Sequence, residues 1–267
     1  DEVLAAAPAL RIVSNYAVGY DNIDVPAATR RGIAVTNTPG VLTAATADLT
    51  WALILATTRR VVEADAFMRA GRYTSWDPLL LLGGDLAGRR LGIVGFGRIG
   101  QAVAQRARGF ELEVVFTSRS PKPEAAARLG ARQVELDELL ASSDIVSLHC
   151  ALTAETRHLI DARRIAMMKP SAYLINTARG PVVHEADLVA ALRSDQIAGA
   201  GLDVYEAEPL MSPGLAELPN VVVVPHIGSA THETRTKMAD IAVDNILALF
   251  AGRRPAHLVD PSVALGL

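Results

Sequence analysis

Short apolar, β-branched runs alternate along the second part of the chain with longer stretches whose apolar positions recur at helical spacing. The short runs are typical of buried strands and the longer stretches of amphipathic helices. The pattern predicts strands at residues 91–94, 113–117, 133–135, 145–148, 173–176, 200–204 and 221–224, and helices at 98–109, 122–130, 136–142, 161–168 and 184–194. Such alternation indicates a parallel sheet covered by helices on both faces, which binds ligands at the carboxyl ends of its strands.

The front of the chain predicts a smaller α/β unit. Apolar runs at 11–15 and 33–37 are predicted strands, and a short helix at 26–31 lies between them. Two strands alone do not bury a sheet, so we expect either that more chain precedes them or that they lean on the other domain. A long helix is predicted at about 43–70 and a final helix at about 231–252.

The stretch at 72–85, RYTSWDPLLLLGGD, fits no regular period. It carries Trp76 and four consecutive leucines, which would form an unusual apolar patch if a monomer left them exposed. Two interpretations are open. The segment is either a loop over its own core or an arm that packs on a second subunit.

Composition narrows the class of protein without indicating an activity. Of the 267 residues, 50% are hydrophobic and 21% charged, and the net charge is −3, as in ordinary globular proteins. The pI near 6.1 and the lack of a basic block argue against a nucleic-acid surface. The longest apolar run, at 49–56, is too short to span a bilayer. The single cysteine, Cys150, favours an intracellular, cytoplasmic location.

Residues 91–100, LGIVGFGRIG, carry a glycine-rich turn between a predicted strand and a predicted helix. This context favours dinucleotide binding over a turn that serves packing alone. Gly95 would allow the tight exit from the strand, Gly97 would let the backbone approach a pyrophosphate, and Gly100 would let the helix pack close to the sheet. The helix N-terminus would offer free N–H groups to the phosphates.

The next predicted strand ends where an NAD-binding protein carries an acidic residue for the ribose 2′-hydroxyl. Here the sequence has Ser118, Arg119 and Ser120 instead. A guanidinium between two hydroxyls suits a 2′-phosphate, so NADP(H) is the predicted cofactor, with NAD(H) as the alternative. The other interpretation is that Arg119 stacks on the adenine ring and the site is indifferent to the phosphate.

Polar residues follow three more predicted strands on the same edge. Arg179 follows 173–176, the acidic run 202–209 (LDVYEAEP) ends 200–204, and His226 follows 221–224. Each of these residues alone is more typical of a surface or structural role. Because the carboxyl ends of parallel strands meet at one edge, candidates at three successive strand ends predict a shared site.

These motifs resemble those of the D-isomer-specific 2-hydroxyacid dehydrogenase family, and most closely its glyoxylate/hydroxypyruvate reductases. The resemblance covers essentially the whole chain and rests on YAVGYDNID, NTPGVLTAATAD, GFGRIG, INTARGPVV, GLDVYEAEP and PHIGSAT in that order. It implies an α/β fold with a Rossmann-type doubly wound parallel sheet and a smaller flavodoxin-like substrate domain, which we expect to be N-terminally truncated here.

The resemblance also implies a domain organisation. An NAD(P)-binding domain is expected at 41–252, with linking helices at about 43–70 and 231–252. The remainder of the substrate-binding domain is expected at 1–40 and 253–267. The family further implies a homodimer with a dimer arm at about 71–86.

The catalytic Arg, Glu and His of the family correspond to Arg179, Glu208 and His226. The Glu precedes the Pro of YEAEP, so it is Glu208 rather than Glu206. Reducing a ketone builds negative charge on its oxygen, which needs a proton and a nearby positive charge. An imidazolium can give the proton because it titrates near neutral pH. Arg179 would bind the substrate carboxylate and polarise the carbonyl, and Glu208 would hold the imidazole ring.

The resemblance carries over further binding residues, and it implies no metal site. The substrate set is Val18, Gly19, Trp76, Arg179, His226 and Ser229, with Trp76 reaching the active site of the partner subunit. The cofactor set is Thr46, Gly95, Phe96, Gly97, Arg98, Ile99, Gly100, Ser118, Arg119, Ser120, Thr177, Ala178, Asp203, His226 and Gly228. Within it, 96–99 would hold the pyrophosphate and Asp203 would bind the nicotinamide carboxamide.

The expected activity is the NADPH-dependent reduction of glyoxylate or hydroxypyruvate, small 2-keto acids, to the 2-hydroxy acid. A phosphoglycerate, D-lactate, formate or phosphite dehydrogenase stays open within the same chemistry, although Arg119 argues against a strictly NAD-dependent member. A nucleotide-sensing corepressor is the alternative from another class. Neither a nucleic acid nor a membrane is an expected partner.

Overall fold

The computed structural model describes residues 2–266, which form nine strands and ten α-helices. The strands are β1 Ile12–Ser14, β2 Ala34–Thr36, β3 Arg90–Val94, β4 Glu113–Thr117, β5 Ala131–Gln133, β6 Ile145–Leu148, β7 Tyr173–Asn176, β8 Gly199–Leu202 and β9 Val221–Val223. The helices are α1 Glu2–Ala5, α2 Val25–Arg30, α3 Thr43–Thr58, α4 Val61–Arg69, α5 Arg98–Ala107, α6 Pro123–Leu129, α7 Leu136–Ser142, α8 Ala162–Ile165, α9 Glu185–Arg193 and α10 His232–Phe250. Internal contacts divide the chain into a large unit, Thr46–Gly228, and a small unit, Asp1–Ala45 with Ser229–Leu267.

The large unit is built on a seven-stranded sheet with the order β5-β4-β3-β6-β7-β8-β9. All of its neighbouring strands pair in parallel. The strand order reverses between β3 and β6, and the crevice outside the strand ends at such a point is where this class of sheet binds ligands. The Rossmann-type parallel sheet predicted from the sequence is confirmed.

Alternating strand residues bury both faces of this sheet. Val94 and Leu174 belong to a core cluster with residues of α7, α8 and α9, whereas Ile93 and Ile175 belong to a cluster with residues of α3 and α5. Successive side chains of a strand point to opposite faces, so a continuous apolar run supplies both clusters. The near-continuous hydrophobicity of these strands follows from that double burial.

The small unit has a two-stranded parallel sheet, β1 with β2, in which Ile12 pairs with Ala34 and Ser14 with Thr36. The Ser14 hydroxyl donates to the carbonyl of Ala242, which ties α10 to β1. The contacts therefore group α10 with this unit, whereas the family-based expectation counted 231–252 as a link within the NAD(P)-binding domain.

The predicted long helix at 43–70 is two helices, α3 and α4. The helix breaks at Arg60, which has a left-handed φ of 53°. The carbonyl of Thr58 accepts the N–H of Gly84 at 2.9 Å instead of continuing the helical ladder. Gly84 thus caps the C-terminus of α3. The donor lies 26 residues after the Thr58 carbonyl, so the local sequence pattern around α3 does not indicate where the helix ends.

Three smaller differences concern other element boundaries. The strand predicted at 133–135 is β5 and begins at Ala131, because Gly130 ends α6 in a left-handed conformation. The helix predicted at 161–168 is shorter and corresponds to α8, Ala162–Ile165. After Ile165 the N–H groups of Met167 and Met168 donate to the third preceding carbonyl instead of the fourth, and Pro170 follows. The short helix α1 was not predicted.

The segment 71–86 contains no helix or strand. Three of its large apolar side chains lie open to solvent in the single chain, with Trp76 77%, Leu79 75% and Leu82 60% exposed. The single chain therefore does not bury these three side chains in the core of its own loop, and the arm on a second subunit stays a prediction.

Candidate active site

Apart from Thr46 in α3 and Trp76 in the segment 71–86, the candidate residues of the large unit follow the carboxyl ends of β3, β4, β7, β8 and β9. Because these strands are parallel, their ends lie on one edge of the sheet. The sheet thus gathers residues that are more than a hundred positions apart in the sequence.

The glycine turn after β3 needs its glycines for different reasons. Gly95 has a φ of +96°, and a Cβ on it would lie 2.6 Å from the carbonyl carbon of His149. A Cβ on Gly100 would lie 2.2 Å from the carbonyl oxygen of Gly95. A Cβ on Gly97 would meet nothing within 4 Å. Gly95 and Gly100 permit close packing within the protein. The space beside Gly97 is open to a ligand, as a bound pyrophosphate requires.

The rest of the turn presents backbone rather than side chains. Phe96 is fully buried and stacks on Phe116 with a centroid distance of 3.8 Å, so only its main chain can face a ligand. Arg98 and Ile99 form the first turn of α5 after the N-cap Gly97. Their N–H groups have no acceptor within the helix and are suited to phosphate oxygens. These features fit a dinucleotide.

The end of β4 carries no carboxylate. Thr117 is followed by Ser118, whose hydroxyl donates to the carbonyl of Ser120 at 2.7 Å and closes a small turn around Arg119. Arg119 is exposed at the tip of this turn. The tip is suited to a phosphate because a guanidinium offers several donors in one plane.

The loop after β7 is braced by Asn176. Its side-chain amide donates to the carbonyl of Arg179 at 3.0 Å, and its side-chain oxygen accepts the N–H of Ala178 at 3.0 Å. The Thr177 hydroxyl lies 2.9 Å from that of Thr50 on α3. The Arg179 guanidinium is partly buried and donates to the carbonyl of Ala178 at 2.9 Å. This bracing fixes the backbone from which Arg179 projects.

The loops after β7 and β8 press directly on each other. A Cβ on Gly180 would lie 1.8 Å from the carbonyl oxygen of Tyr205 and 2.5 Å from the N–H nitrogen of Glu206. Only a glycine allows this approach. The residue after Arg179 is therefore packed against the chain segment that leads to Glu208.

Glu208 and His226 are in hydrogen-bond contact, with His226 Nδ1 2.9 Å from Glu208 Oε2. The other carboxylate oxygen of Glu208 accepts the N–H of Tyr205 at 3.0 Å. Half of the His226 side chain is exposed, so the far side of the ring can meet a ligand. The structure brings together two of the three residues that the family resemblance assigns to catalysis.

Asp203 anchors the segment that carries the histidine. Its two oxygens accept the N–H groups of Ile227 at 2.6 Å and of Gly228 at 2.8 Å, and its carbonyl accepts the N–H of His226. Burial raises the pKa of the Asp203 carboxyl, and these backbone bonds oppose the rise. They also hold His226 at its left-handed φ of 51°. Thr46 lies beside Gly228 in the same corner.

Tyr205 joins the ends of two strands. Its hydroxyl donates to the carbonyl of Val224, just after β9, at 2.8 Å. Burial and the nearby Asp203 charge raise the pKa of Tyr205 to about 12, so the phenol stays protonated and keeps this bond at neutral pH.

In the small unit, the carbonyls of Val18 and Gly19 are each held by an asparagine. Asn37 donates to Val18 at 2.8 Å and Asn15 donates to Gly19 at 2.6 Å. Ser229 precedes α10, and its carbonyl accepts the N–H of Thr231. The substrate roles expected for Val18, Gly19, Ser229 and Trp76 stay predictions.

The sequence did not point to two histidines near these loops. His149 follows β6 and lies 2.8 Å from the Ser147 hydroxyl, and His158 contacts Glu206. His158 and Glu206 are 48 positions apart, and no local pattern links them. Among residues 2–266, no group of three or more His, Cys, Asp or Glu could hold a metal ion, and no helix is long and apolar enough to cross a membrane.

Comparison with known proteins identifies the family. The sequence profile for "D-isomer specific 2-hydroxyacid dehydrogenase, NAD binding domain" matches residues 51–228. A glyoxylate reductase of Thermococcus litoralis is 54% identical over 266 residues, which span 98% of this chain and 80% of that protein. A solved structure from Thermus thermophilus is 52% identical at a TM-score of 0.91, covering 97% of this chain and 82% of that one.

A further solved structure carries a cofactor. The NADPH-dependent glyoxylate/hydroxypyruvate reductase of Sinorhizobium meliloti, in complex with NADP and malonate, is 37% identical at a TM-score of 0.90, covering 99% of this chain and 82% of that one. These similarities and the profile match confirm the resemblance found in the sequence. The chain belongs to the D-isomer specific 2-hydroxyacid dehydrogenase family and is an NAD(P)-dependent oxidoreductase.

Proposed function

We propose that this protein reduces glyoxylate or hydroxypyruvate to the corresponding 2-hydroxy acid, with NADPH as the reductant. The observation that carries the proposal is the 2.9 Å contact between His226 and Glu208, on the sheet edge that also holds the glycine turn. The relatives support it, because one is a glyoxylate reductase and another is an NADPH-dependent glyoxylate/hydroxypyruvate reductase. The proposal keeps a cytoplasmic location, which rests on the single cysteine.

His226 is assigned the proton transfer. Its Nδ1 carries a hydrogen when the Glu208 carboxylate accepts there, which leaves Nε2 for the substrate oxygen. As negative charge develops on the carbonyl oxygen, the imidazolium gives its Nε2 proton to that oxygen. Glu208 stabilises the cation before the transfer and keeps the ring oriented afterwards, as the carboxylate does in other His–carboxylate pairs.

Arg179 is assigned the role of binding the substrate. A guanidinium binds a carboxylate in a planar, two-bond geometry, and its charge also stabilises the developing alkoxide. The asparagine brace at 176 and the tight packing at Gly180 support this role, because they hold the loop backbone rigid. A rigid loop lowers the entropic cost of orienting the guanidinium at the moment of binding.

Bound NADPH supplies the hydride. In this proposal the first N–H groups of α5 receive the pyrophosphate, and Arg119, between Ser118 and Ser120, receives the 2′-phosphate. Asp203 binds the nicotinamide carboxamide with lone pairs that remain after its two backbone bonds. Thr46, Thr177, Ala178 and Gly228 complete the set on the same edge.

The first experiment follows NADPH absorbance with glyoxylate, hydroxypyruvate, pyruvate and 3-phosphohydroxypyruvate as substrates. We expect turnover with the first two, and a loss of at least about 100-fold in kcat for His226→Ala, with a far smaller change in NADPH affinity, because His226 is one of many cofactor contacts in the proposed set. Faster turnover of pyruvate or of the phosphorylated acid would favour a D-lactate or phosphoglycerate dehydrogenase. NADPH binding without turnover of any keto acid would favour a nucleotide-sensing corepressor and contradict the proposal.

The second experiment tests the cofactor preference. Arg119→Ala should raise the KM for NADPH about tenfold or more and leave the KM for NADH nearly unchanged. Arg132→Ala is the matched control, because it removes the same charge from an exposed position on β5, where Arg132 pairs with Glu138. Equal effects of Arg119→Ala on the two cofactors would remove the phosphate role.

A homodimer belongs to the proposal. The exposed side chains of Trp76, Leu79 and Leu82 are apolar surface that a second copy of the chain would cover. Leu79→Glu combined with Leu82→Glu should shift the sedimentation coefficient from dimer to monomer. Trp76→Ala should raise the KM for the keto acid and leave the dimer intact. A wild-type monomer at micromolar concentration would exclude this part of the proposal.

A further inference from the structure

A group of ionisable side chains lies behind the Glu208 loop and has no part in the proposed reaction. It comprises Glu206, His158, His184, Glu185 and Asp187, which belong to three separate parts of the large unit. Glu206 is the member closest to the proposed catalytic residues, two positions before Glu208. The resemblance to the family assigns the catalytic glutamate to Glu208 and gives Glu206 no role.

Both carboxylate oxygens of Glu206 are engaged. Oε1 lies 2.5 Å from His158 Nε2, and Oε2 accepts the N–H of Glu185, the first residue of α9, at 3.0 Å. Burial acts to raise the pKa of the Glu206 carboxyl, but the Glu185 bond and the His158 contact outweigh it and hold the pKa below its ordinary value. The carboxylate is therefore charged at neutral pH, and its bonds are the stronger, charge-assisted kind.

His158 is itself fixed in place. It has a left-handed φ of 51°, and its N–H donates to the carbonyl of Pro181 at 2.8 Å. Its ring meets that of His184 edge to face, with centroids 4.7 Å apart, and His184 Nδ1 lies 2.9 Å from Asp187. A non-glycine residue in this conformation costs about 1 kcal/mol or more and persists only where the surroundings hold it.

Glu206 thus connects the loop that carries Arg179 to the loop that carries Glu208. On one side it is bound to Glu185, which follows Arg179 by six residues, and Gly180 packs against the peptide between Tyr205 and Glu206. On the other side the N–H of Tyr205 donates to Glu208 Oε1. The segment 205–208 is consequently held at both ends. Without Glu206 it would lose its bonds to His158 and Glu185 and keep only those of the Glu208 carboxylate and the Tyr205 hydroxyl, with the packing at Gly180.

We propose that Glu206, held by His158, is a positioning residue that keeps the Glu208 carboxylate in bonding distance of His226 and in register with the Arg179 loop. This inference rests on the proposed function for its catalytic consequence. Its geometric part, the dependence of the Glu208–His226 contact on Glu206, stands without it.

The test uses the full chain with Glu206→Ala, Glu206→Gln and the control Asp187→Asn. The control weakens the contacts of Asp187 Oδ2 with His184 and with the N–H of Ala162, and neither contact involves the segment 205–208. Glu206→Ala should lower kcat for keto acid reduction by about 10- to 100-fold, with the KM for NADPH changed less than about twofold. Glu206→Gln keeps an acceptor for the Glu185 N–H and should recover part of the rate. Asp187→Asn should stay within about twofold of wild type.

A second readout does not depend on activity. Crystal structures of the wild type and Glu206→Ala should show the Nδ1–Oε2 distance opening from 2.9 Å to beyond hydrogen-bond range. If Glu206→Ala is insoluble, Glu206→Gln gives the same comparison with a smaller change. An unchanged distance, or a kcat equal to that of Asp187→Asn in an active enzyme, would overturn the inference. If the Nδ1–Oε2 distance opens in Glu206→Ala but the wild type reduces no keto acid, the proposed function is contradicted and the positioning role is supported.

Discussion

Acidification should destabilise the large unit through His149. The imidazole follows β6, next to the glycine turn, and its Nε2 lies 2.8 Å from the Ser147 hydroxyl. Burial lowers its pKa from 6.5 to about 3, because a charged ring there would lose its water. Between these two pH values the unfolded chain binds a proton that the folded protein does not. The stability linked to His149 is thus fully present above pH 6.5 and is lost as the pH falls toward 3.

The size of the effect follows from the two pKa values. Each pKa unit is worth about 1.4 kcal/mol, so His149 should remove about 2 kcal/mol of unfolding free energy between roughly pH 7 and pH 5. This is the upper figure, because part of the residue's surface stays accessible. Carboxylates add their own acid dependence. A variant that differs from wild type only at His149 has the same carboxylates, so their contribution cancels when the two pH dependences of the unfolding free energy are subtracted.

The assay is urea unfolding at several pH values, monitored by tryptophan fluorescence. Trp51 is buried, stacks on Phe110 and donates to the carbonyl of Val103, so its emission reports the large unit. Trp76 is already exposed and should contribute little change. Wild type should lose more stability on acidification than His149→Gln, whose amide can still reach the Ser147 hydroxyl. Parallel pH dependences in the two proteins would refute the reasoning.

Three other outcomes are expected. Asp203→Asn should lower the unfolding free energy by about 2 kcal/mol, because its amide would face the N–H of Gly228, and a melting temperature within about 2 °C of wild type would contradict this. Gly180→Ala should lower both stability and kcat, since its Cβ would overlap the Tyr205 carbonyl; a wild-type kcat would show that the loops can separate freely. Burial raises the pKa of Cys150 to about 11, so its alkylation by iodoacetamide at about pH 8 should be roughly tenfold or more slower than that of glutathione, which mass spectrometry can check.

Local patterns were sufficient for most of the large unit. The strands predicted at 113–117, 145–148 and 173–176 coincide with β4, β6 and β7. The reason is that a strand buried on both faces must be apolar along its whole length, which leaves a clear signal. The glycine turn was equally readable, because its positive φ and close approaches exclude other residues.

Elements that depend on distant partners were not readable in the same way. The break between α3 and α4 follows from Gly84 taking the Thr58 carbonyl, and β5 is displaced because pairing with β4 begins right after Gly130. In each case the competing group lies elsewhere in the chain. Hydrophobic periodicity and local propensity depend only on nearby residues, so they cannot predict an element boundary that a distant group sets.

The sequence by itself determined the class of sheet, the glycine turn, and which polar residues follow which strands, because each of these depends on neighbours along the chain. Tertiary structure alone decided that Glu208 bonds to His226, that Asp203 holds the backbone after His226, and that Glu206 and His158 join two loops. Those contacts link residues 18 to 48 positions apart. Only the packing of parallel strands, with their ends on one edge, brings such residues within hydrogen-bond distance.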